Sequence, residues 1–285
     1  MSKLKIAIQK NGRLSEKSLE LLKECGINIS NGTSKLKTVA SNFPIEILFL
    51  RDDDIPQYVE QQVADAGILG ENEVVEKNKI IHVVERLGFA YCRLSLAIPK
   101  EENYTGLQFF NNKKIATSYP KILSDFFYQN NINAEIEEIS GSVEIATGIG
   151  LANAIFDIVS TGSTLFTNGL KEVETVLKSQ AVLIAGQNLT EEKTEILNRL
   201  LFRIKAVRNG KENKYILLNA HRDSVPAICK ILPGMKSPTI IPLADTDWCG
   251  VHSVIKEDDF WNVIEKLKRA GAEGILVVPI EKMIL

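Results

Sequence analysis

Apolar and polar side chains alternate from the start of the chain. Leu4, Ile6 and Ile8 are interleaved with Lys5, Ala7 and Gln9, a period-two pattern that predicts a strand. Lys10-Asn11-Gly12-Arg13 predicts a turn, and Ser15 is placed to cap a helix that runs to Cys25 and stops at Gly26. The run Ile45-Glu46-Ile47-Leu48-Phe49-Leu50 predicts the next strand. Arg51 and three aspartates follow it, with Pro56 at a first helical position. Ala66-Gly67-Ile68-Leu69-Gly70 reads as a short buried strand ending at Glu71-Asn72. Further strands are expected over 81–84, 94–98 and 114–117, and a helix over 121–129. Such alternation predicts an α/β protein with mostly parallel sheets.

The character of the chain changes between Arg93 and Pro99, where one α/β block gives way to another. The second block holds residues 115–183, and a polar helical stretch over 190–207 returns to the first. The expected division is a first lobe of residues 1–93 and 184–208 and a second lobe of residues 94–183. Two lobes joined by chain crossovers leave a cleft, a common seat for ligands. Arg208 to Asn213 reads as a linker to a third domain, 209–285. There the order is strand (215–219), helix (225–231), strand (239–241), strand (250–255), helix (260–270), strand (274–278). That β-α-β-β-α-β order is the ferredoxin-like pattern. Its second helix places Phe260, Val263, Ile264 and Leu267 on one face.

Composition narrows the function classes. The 285 residues carry a formal net charge of -2, which argues against a general nucleic-acid or membrane-surface binder. Cys25, Cys92, Cys229 and Cys249 are scattered, and with His82, His221 and His252 they form no zinc pattern. Unclustered cysteines, no signal-peptide core and no run long enough for a membrane span point to a cytoplasmic protein.

The most informative chemistry lies at Asp157-Ile158-Val159-Ser160-Thr161-Gly162-Ser163-Thr164-Leu165. Ala154-Ile155-Phe156 leads in as a buried strand, and a helix is expected to begin over 165–170. A hydroxyl-rich turn around Gly162 can aim several backbone N–H groups at one anion. Asp157, just upstream, suits the hydroxyls of a 5-phosphorylated ribose or a water-bridged magnesium. The alternative is an ordinary strand-turn-helix, since Ser, Thr and Gly are common turn residues. Elsewhere, Lys10 and Arg13 sit at a strand's carboxyl end, where α/β sheets bind ligands; they hold a pyrophosphate or triphosphate, or are solvated surface cations. Arg51 meets a phosphate or carboxylate while an adjacent aspartate positions nucleotide or magnesium, or Asp53 or Asp54 caps the following helix. Glu144 joins Asp157 at one ligand, or starts a helix. Gly148-Ile149-Gly150 lacks the third glycine of a dinucleotide fingerprint, and neither a P-loop nor a G-x-S-x-G motif is present.

Taken together, Gln9-Lys10-Asn11-Gly12-Arg13-Leu14-Ser15, Arg51 to Pro56, Gly67 to Asn72, Cys92 to Ala97, Ile115 to Pro120 and the Asp157 turn resemble the ATP phosphoribosyltransferase family. The resemblance is collinear and continues through Ser237 to Ala244 and Val278 to Met283. The C-terminal unit makes the chain similar to the family's long form.

The resemblance implies a periplasmic-binding-protein-like catalytic core with an ACT-like regulatory domain. It implies ATP and phosphoribosyl pyrophosphate as substrates, Mg2+ as cofactor, histidine as inhibitor, and a homo-oligomer ranging from dimer to hexamer. Carried over, Asp157 and Glu144 hold the ribose hydroxyls, and Ser160, Thr161, Gly162, Ser163 and Thr164 cradle the 5-phosphate. Lys10, Gly12, Arg13 and Arg51 face pyrophosphate and ATP phosphates, with Asp53 and Glu71 near the nucleotide. Asn219, Thr239, Leu243 and Ala244 are the histidine candidates. The family often has aspartate where Asn153 stands and proline where Thr147 stands, so the helix between Glu144 and Asp157 is expected to differ. Two other classes fit parts of the pattern. A two-lobed binding protein or sensor would not need the acid-plus-hydroxyl turn, and neither would a prephenate dehydratase-like enzyme.

Overall fold

The computed structural model describes residues 2–29, 36–232 and 234–285. In chain order the first lobe contains β1 (Leu4–Gln9), α1 (Arg13–Glu24), β2 (Lys37–Val39), β3 (Ile45–Leu50), α2 (Ile55–Glu60), β4 (Ala66–Gly70), α3 (Glu71–Lys77) and β5 (His82–Arg86). The chain then crosses to β6 (Cys92–Pro99), β7 (Lys114–Thr117), α4 (Pro120–Gln129), β8 (Glu135–Glu138), β9 (Ala154–Val159), α5 (Ser163–Thr167) and β10 (Leu170–Ser179). It returns with β11 (Ala181–Ala185) and α6 (Glu191–Lys211), then builds β12 (Asn213–His221), α7 (Val225–Ile231), β13 (Thr239–Pro242), β14 (Trp248–Lys256), α8 (Phe260–Arg269) and β15 (Ala272–Pro279). Three sheets result, ordered β2-β3-β1-β4-β11-β5, β10-β6-β9-β7-β8 and β13-β14-β12-β15.

The expected α/β, two-lobed core with a ferredoxin-like domain is the architecture found. The expectation of mostly parallel sheets is not. β1 pairs in parallel with β3 and β4, and β7 with β8 and β9. β11 is antiparallel to β4 and β5, β6 is antiparallel to β9 and β10, and β2 is antiparallel to β3. Parallel neighbours need a long crossover to turn the chain around. β6 enters its sheet straight from the first lobe with no helix to reverse it, and β11 leaves β10 after one residue, Gln180. Residues 181–183, read into the second block, therefore hydrogen-bond in the first sheet. The two crossing segments bond each other: Leu87 N–H donates to the Ala181 carbonyl and Ala181 N–H to that of Phe89, each at 2.9 Å.

Helix ends differ from expectation in physically simple ways. α1 begins at Arg13, so Ser15 lies buried in its first turn rather than at the cap. Asp54 occupies the N-cap position of α2 without a side-chain capping bond, while Asp53 pairs with Arg51 at 3.1 Å. The helix expected over 165–170 is one turn, Ser163–Thr167, and Leu170 already starts β10. The linker expected over 208–213 is mostly helix, since α6 runs to Lys211. A single Gly210 costs a helix only about 1 kcal/mol.

The chain divides into two compact units, Met1–Lys23 with Ile27–Leu197, and Glu24–Gly26 with Asn198–Leu285. Residues 198–208, expected in the first lobe, thus group with the C-terminal unit, because α6 continues unbroken toward β12. Arg203 Nη1 donates to the Cys25 carbonyl at 3.1 Å, and Met283 N–H to that of Ala206 at 2.8 Å.

Within the first unit, α3 of one lobe binds the start of α4 in the other. Glu76 accepts from the N–H groups of Lys121 (3.0 Å) and Ile122 (2.9 Å), two donors that a helix start leaves without a partner in its own ladder. Tyr119, at the N-cap, makes no side-chain cap of its own. Glu76→Ala is expected to destabilise the core by about 1–2 kcal/mol, the usual cost of losing a charge-assisted cap. Thermal melting checks this, and an unchanged midpoint would mean water replaces the cap without loss.

Candidate active site

The second lobe brings Glu144, Asp157, Ser160, Thr161, Gly162 and Thr164 around one cavity of about 220 Å³. They converge because their anchors share one core cluster. Val143 and Ala146 flank Glu144, Val159 precedes the turn and Leu165 follows it, and all four are buried together with Ile155 and Ala116. From Glu144 toward Asp157 the backbone makes a short tight helical turn, Val143–Ile145, and then successive hydrogen-bonded turns, with Ile149 N–H donating to the Ile145 carbonyl at 3.2 Å and Leu151 N–H to that of Ala146 at 2.9 Å, in place of a regular helix. Asn153, one of the two departures from the family pattern, braces β7, accepting from Lys114 N–H at 2.9 Å.

The turn's backbone is held in an unusual state. Gly162 has φ +81°, in the left-handed region that a Cβ disfavours. Thr161 Oγ1 and Ser163 Oγ lie 3.0 Å apart. The N–H groups of Thr161, Gly162 and Thr164 donate to no carbonyl among the described residues, so they are available to an anion. α5, being one turn long, contributes little of the dipole expected from a longer helix.

Burial pushes the Asp157 carboxyl up to about 6; Ile158 N–H, donating to Oδ1 at 2.7 Å, opposes this, and the charge of Glu144 adds to it. Two carboxylates lining one cavity favour a ligand that donates hydroxyl hydrogens or carries a cation.

In the first lobe the other candidates gather at the carboxyl ends of β1, β3 and β4. Lys10 N–H donates to the Leu50 carbonyl at 2.7 Å, which joins the ends of β1 and β3. Lys10, Gly12, Arg13 and Arg51 are exposed, and Asp53, the partner of Arg51, is half-buried. Glu71 opens α3 but is taken by Arg86, whose Nε lies 3.3 Å away, so its carboxylate is engaged on the protein.

Residues not singled out as site candidates complete the picture. Gln9 Nε2 donates to Asp52 Oδ2 at 3.4 Å. Asn72 Nδ2 donates to Glu73 Oε1 at 3.0 Å and to Tyr119 Oη at 3.4 Å. Burial, then Asp52, pushes the Glu73 carboxyl up to about 7, against a hydrogen bond from Tyr119. The Tyr119 hydroxyl is pushed up by burial, then by the charges of Glu73 and Asp157. Tyr119 therefore lies within electrostatic reach of acids from both lobes. Tyr119 lies within one of the motif segments quoted above, Ile115 to Pro120, but nothing local in the sequence marks Glu73 as buried.

Two of the C-terminal candidates, Asn219 and Thr239, lie on exposed strand positions, and the other two, Leu243 and Ala244, lie in the loop after β13. Asn219 is in register with Gly250 and Ile241, and Thr239 with His252, which bonds Tyr215 Oη at 3.0 Å. Leu243 lies beside Gly250, and Ala244 follows in the same exposed loop.

These features define a two-lobed α/β protein with an acid- and hydroxyl-lined cavity and an appended ferredoxin-like domain. Residues 51–206 match the family described as ATP phosphoribosyltransferase, and residues 210–282 match its C-terminal domain family. An ATP phosphoribosyltransferase of Cytophaga hutchinsonii is 58% identical over 99% of this chain and 98% of its own length; that of Phocaeicola vulgatus is 59% identical over 99% and 100%. A solved chain of the ATP phosphoribosyl transferase (HisG:HisZ) complex from Thermotoga maritima superposes with a TM-score of 0.60 at 27% identity, covering 70% of this chain and 98% of that one. This chain belongs to the ATP phosphoribosyltransferase family, the pentosyltransferases of the first step of histidine biosynthesis. Among the described residues, no helix is long and apolar enough to cross a membrane.

Proposed function

We propose that this chain transfers the phosphoribosyl group of phosphoribosyl pyrophosphate to N1 of ATP, giving N1-(5-phosphoribosyl)-ATP and pyrophosphate. The observation that carries the reading is the single cavity where Glu144 and Asp157 meet a turn with available N–H groups. In this reading the carboxylates accept the ribose 2- and 3-hydroxyls, and Ser160, Thr161, Gly162, Ser163 and Thr164 hold the 5-phosphate. Lys10, Gly12, Arg13 and Arg51, at the facing sheet edge, bind pyrophosphate and the ATP phosphates. Asp53 lies near the nucleotide. Glu71 is the weakest of these assignments, since Arg86 already holds it.

The bond from C1 to the pyrophosphate oxygen breaks, the oxygen keeps the electron pair, and the lone pair of adenine N1 forms the new bond from the opposite side. Positive charge grows on the sugar as it breaks, and carboxylates fixed near the ring stabilise it. Negative charge grows on the leaving group, where preorganised cations are most effective. Adenine N1 is a weak nucleophile, so holding it in line with C1 is a large part of catalysis.

Mg2+ would supply neutralisation of the pyrophosphate. Glu144 and Asp157 are hard oxygen donors, and among the described residues no group of three or more acids, histidines or cysteines forms a cage. That donor set suits a magnesium carried mainly by substrate oxygens. Residues 209–285 act as the regulatory domain, with histidine at Asn219, Thr239, Leu243 and Ala244. The enzyme works in the cytoplasm as a homo-oligomer of two to six chains.

Mixing the protein with ATP, phosphoribosyl pyrophosphate and Mg2+ is expected to release pyrophosphate only when both substrates are present. Millimolar histidine is expected to suppress it. No release refutes the transfer reaction; release insensitive to histidine refutes the regulatory reading and leaves the transferase.

A further inference from the structure

Arg93, on β6, faces two ways. Its Nε and Nη2 form a two-bond ion pair with Glu172 of β10, and its Nη1 donates to the Ser160 carbonyl at 3.2 Å. Glu172 is itself held: Oε1 accepts from Ser95 Oγ at 2.7 Å and from Thr175 Oγ1 at 3.3 Å. The sheet order β10-β6-β9 makes this bridge possible, and Arg93 pairs in register with Val159, the last residue before the turn. The planar Arg-carboxylate fork fixes the guanidinium in direction as well as position. The side chains are 33% and 25% exposed, so the pair adds little to stability as an ion pair. Its value lies in orientation.

A trans peptide is planar, with its C=O and N–H on opposite sides. Holding the Ser160 carbonyl toward Arg93 turns the Thr161 N–H the other way, and Thr161 lines the cavity. A carbonyl rotated toward a bound phosphate would repel it. We propose that Arg93 is a positioning residue, held by Glu172, that fixes the Ser160–Thr161 peptide plane so that the turn presents its N–H groups to a sugar 5-phosphate. The proposal rests on reading this cavity as the phosphoribosyl site.

The test uses the full-length protein, with ribose 5-phosphate and ribose as calorimetric probes. Wild-type protein is expected to bind ribose 5-phosphate at least tenfold more tightly than ribose; no such preference refutes the site reading itself. Given that preference, Arg93→Gln is expected to raise the Kd for ribose 5-phosphate and the KM for phosphoribosyl pyrophosphate about tenfold, with the KM for ATP within twofold. Arg93→Lys is expected to remain impaired, because one ammonium lacks the fork that serves Glu172 and Ser160 together. Glu172→Gln is expected to weaken binding about threefold by loosening the guanidinium. An arginine acting directly as a charge on the phosphate gives the opposite signs: Glu172→Gln tightens binding and Arg93→Lys restores it. Either result, or an unchanged Kd in Arg93→Gln, overturns the proposal. Arg93→Lys and Glu172→Gln decide it if Arg93→Gln does not fold.

Discussion

Asp157→Ala is expected to lower turnover, or raise the KM for the sugar donor, by about two orders of magnitude, comparable to losing one preorganised polar partner of a transition state. In the proposed reading the residue has two roles there: its carboxylate accepts from the sugar, and its charge, beside that of Glu144, favours the positive ring that develops as pyrophosphate departs. Both need the ionised form. Because burial lifts the carboxyl to about 6, protonation removes that form as pH falls through 6. The kcat/KM for the donor is therefore expected to drop about tenfold per pH unit below that point. Asp157→Asn should be slow at every pH and lack this limb. Steady-state kinetics from pH 5 to 8 reads both effects. Unchanged constants in Asp157→Ala would remove the residue from the site.

Glu73→Gln is expected to make the core more stable at pH 8, by about 2–3 kcal/mol. Glu73 is 7% exposed and sits among Asn72, Tyr119 and the charge of Asp52. Its carboxyl is raised to about 7 in the folded protein, well above the ordinary range, so the folded state resists ionising it. The sign follows: below the unfolded carboxylate range there is no penalty, and stability is lost as pH rises through about 7. A shift of that size corresponds to on the order of 3 kcal/mol. The neutral amide escapes the penalty, so variant and wild type should differ at pH 8 and converge near pH 4. Melting at the two pH values reads this; a gain of equal size at both would show that buried charge is not the cause.

Much of the architecture was legible because its signals are local. The strand at 114–117 and the helix at 225–231 match their expected bounds, each framed by residues that stop the preceding pattern. The turn that lines the cavity was legible for the same reason: acid, hydroxyls and glycine are contiguous. What escaped depends on distant partners. β10 carries Lys171, Glu172, Glu174 and Lys178 among its apolar residues, so no clean alternation announced a strand. With β10 unseen, Glu172 had no reason to meet Arg93, 79 residues away. Glu73 carried no signal of its own in the sequence; its burial comes from packing around Asn72 and Tyr119. Glu71 is engaged by Arg86, which arrives from β5, a pairing that no spacing along the chain reveals.

The placement of β11 has a consequence for the order of events on the ribosome. This strand sits between β4 and β5 in the first sheet, yet it is made almost a hundred residues after β5. All strands of the second sheet lie within residues 92–179 and can associate as soon as that stretch has emerged. The first lobe, although synthesised first, lacks the strand that joins β4 to the edge strand β5 until residues 181–185 arrive.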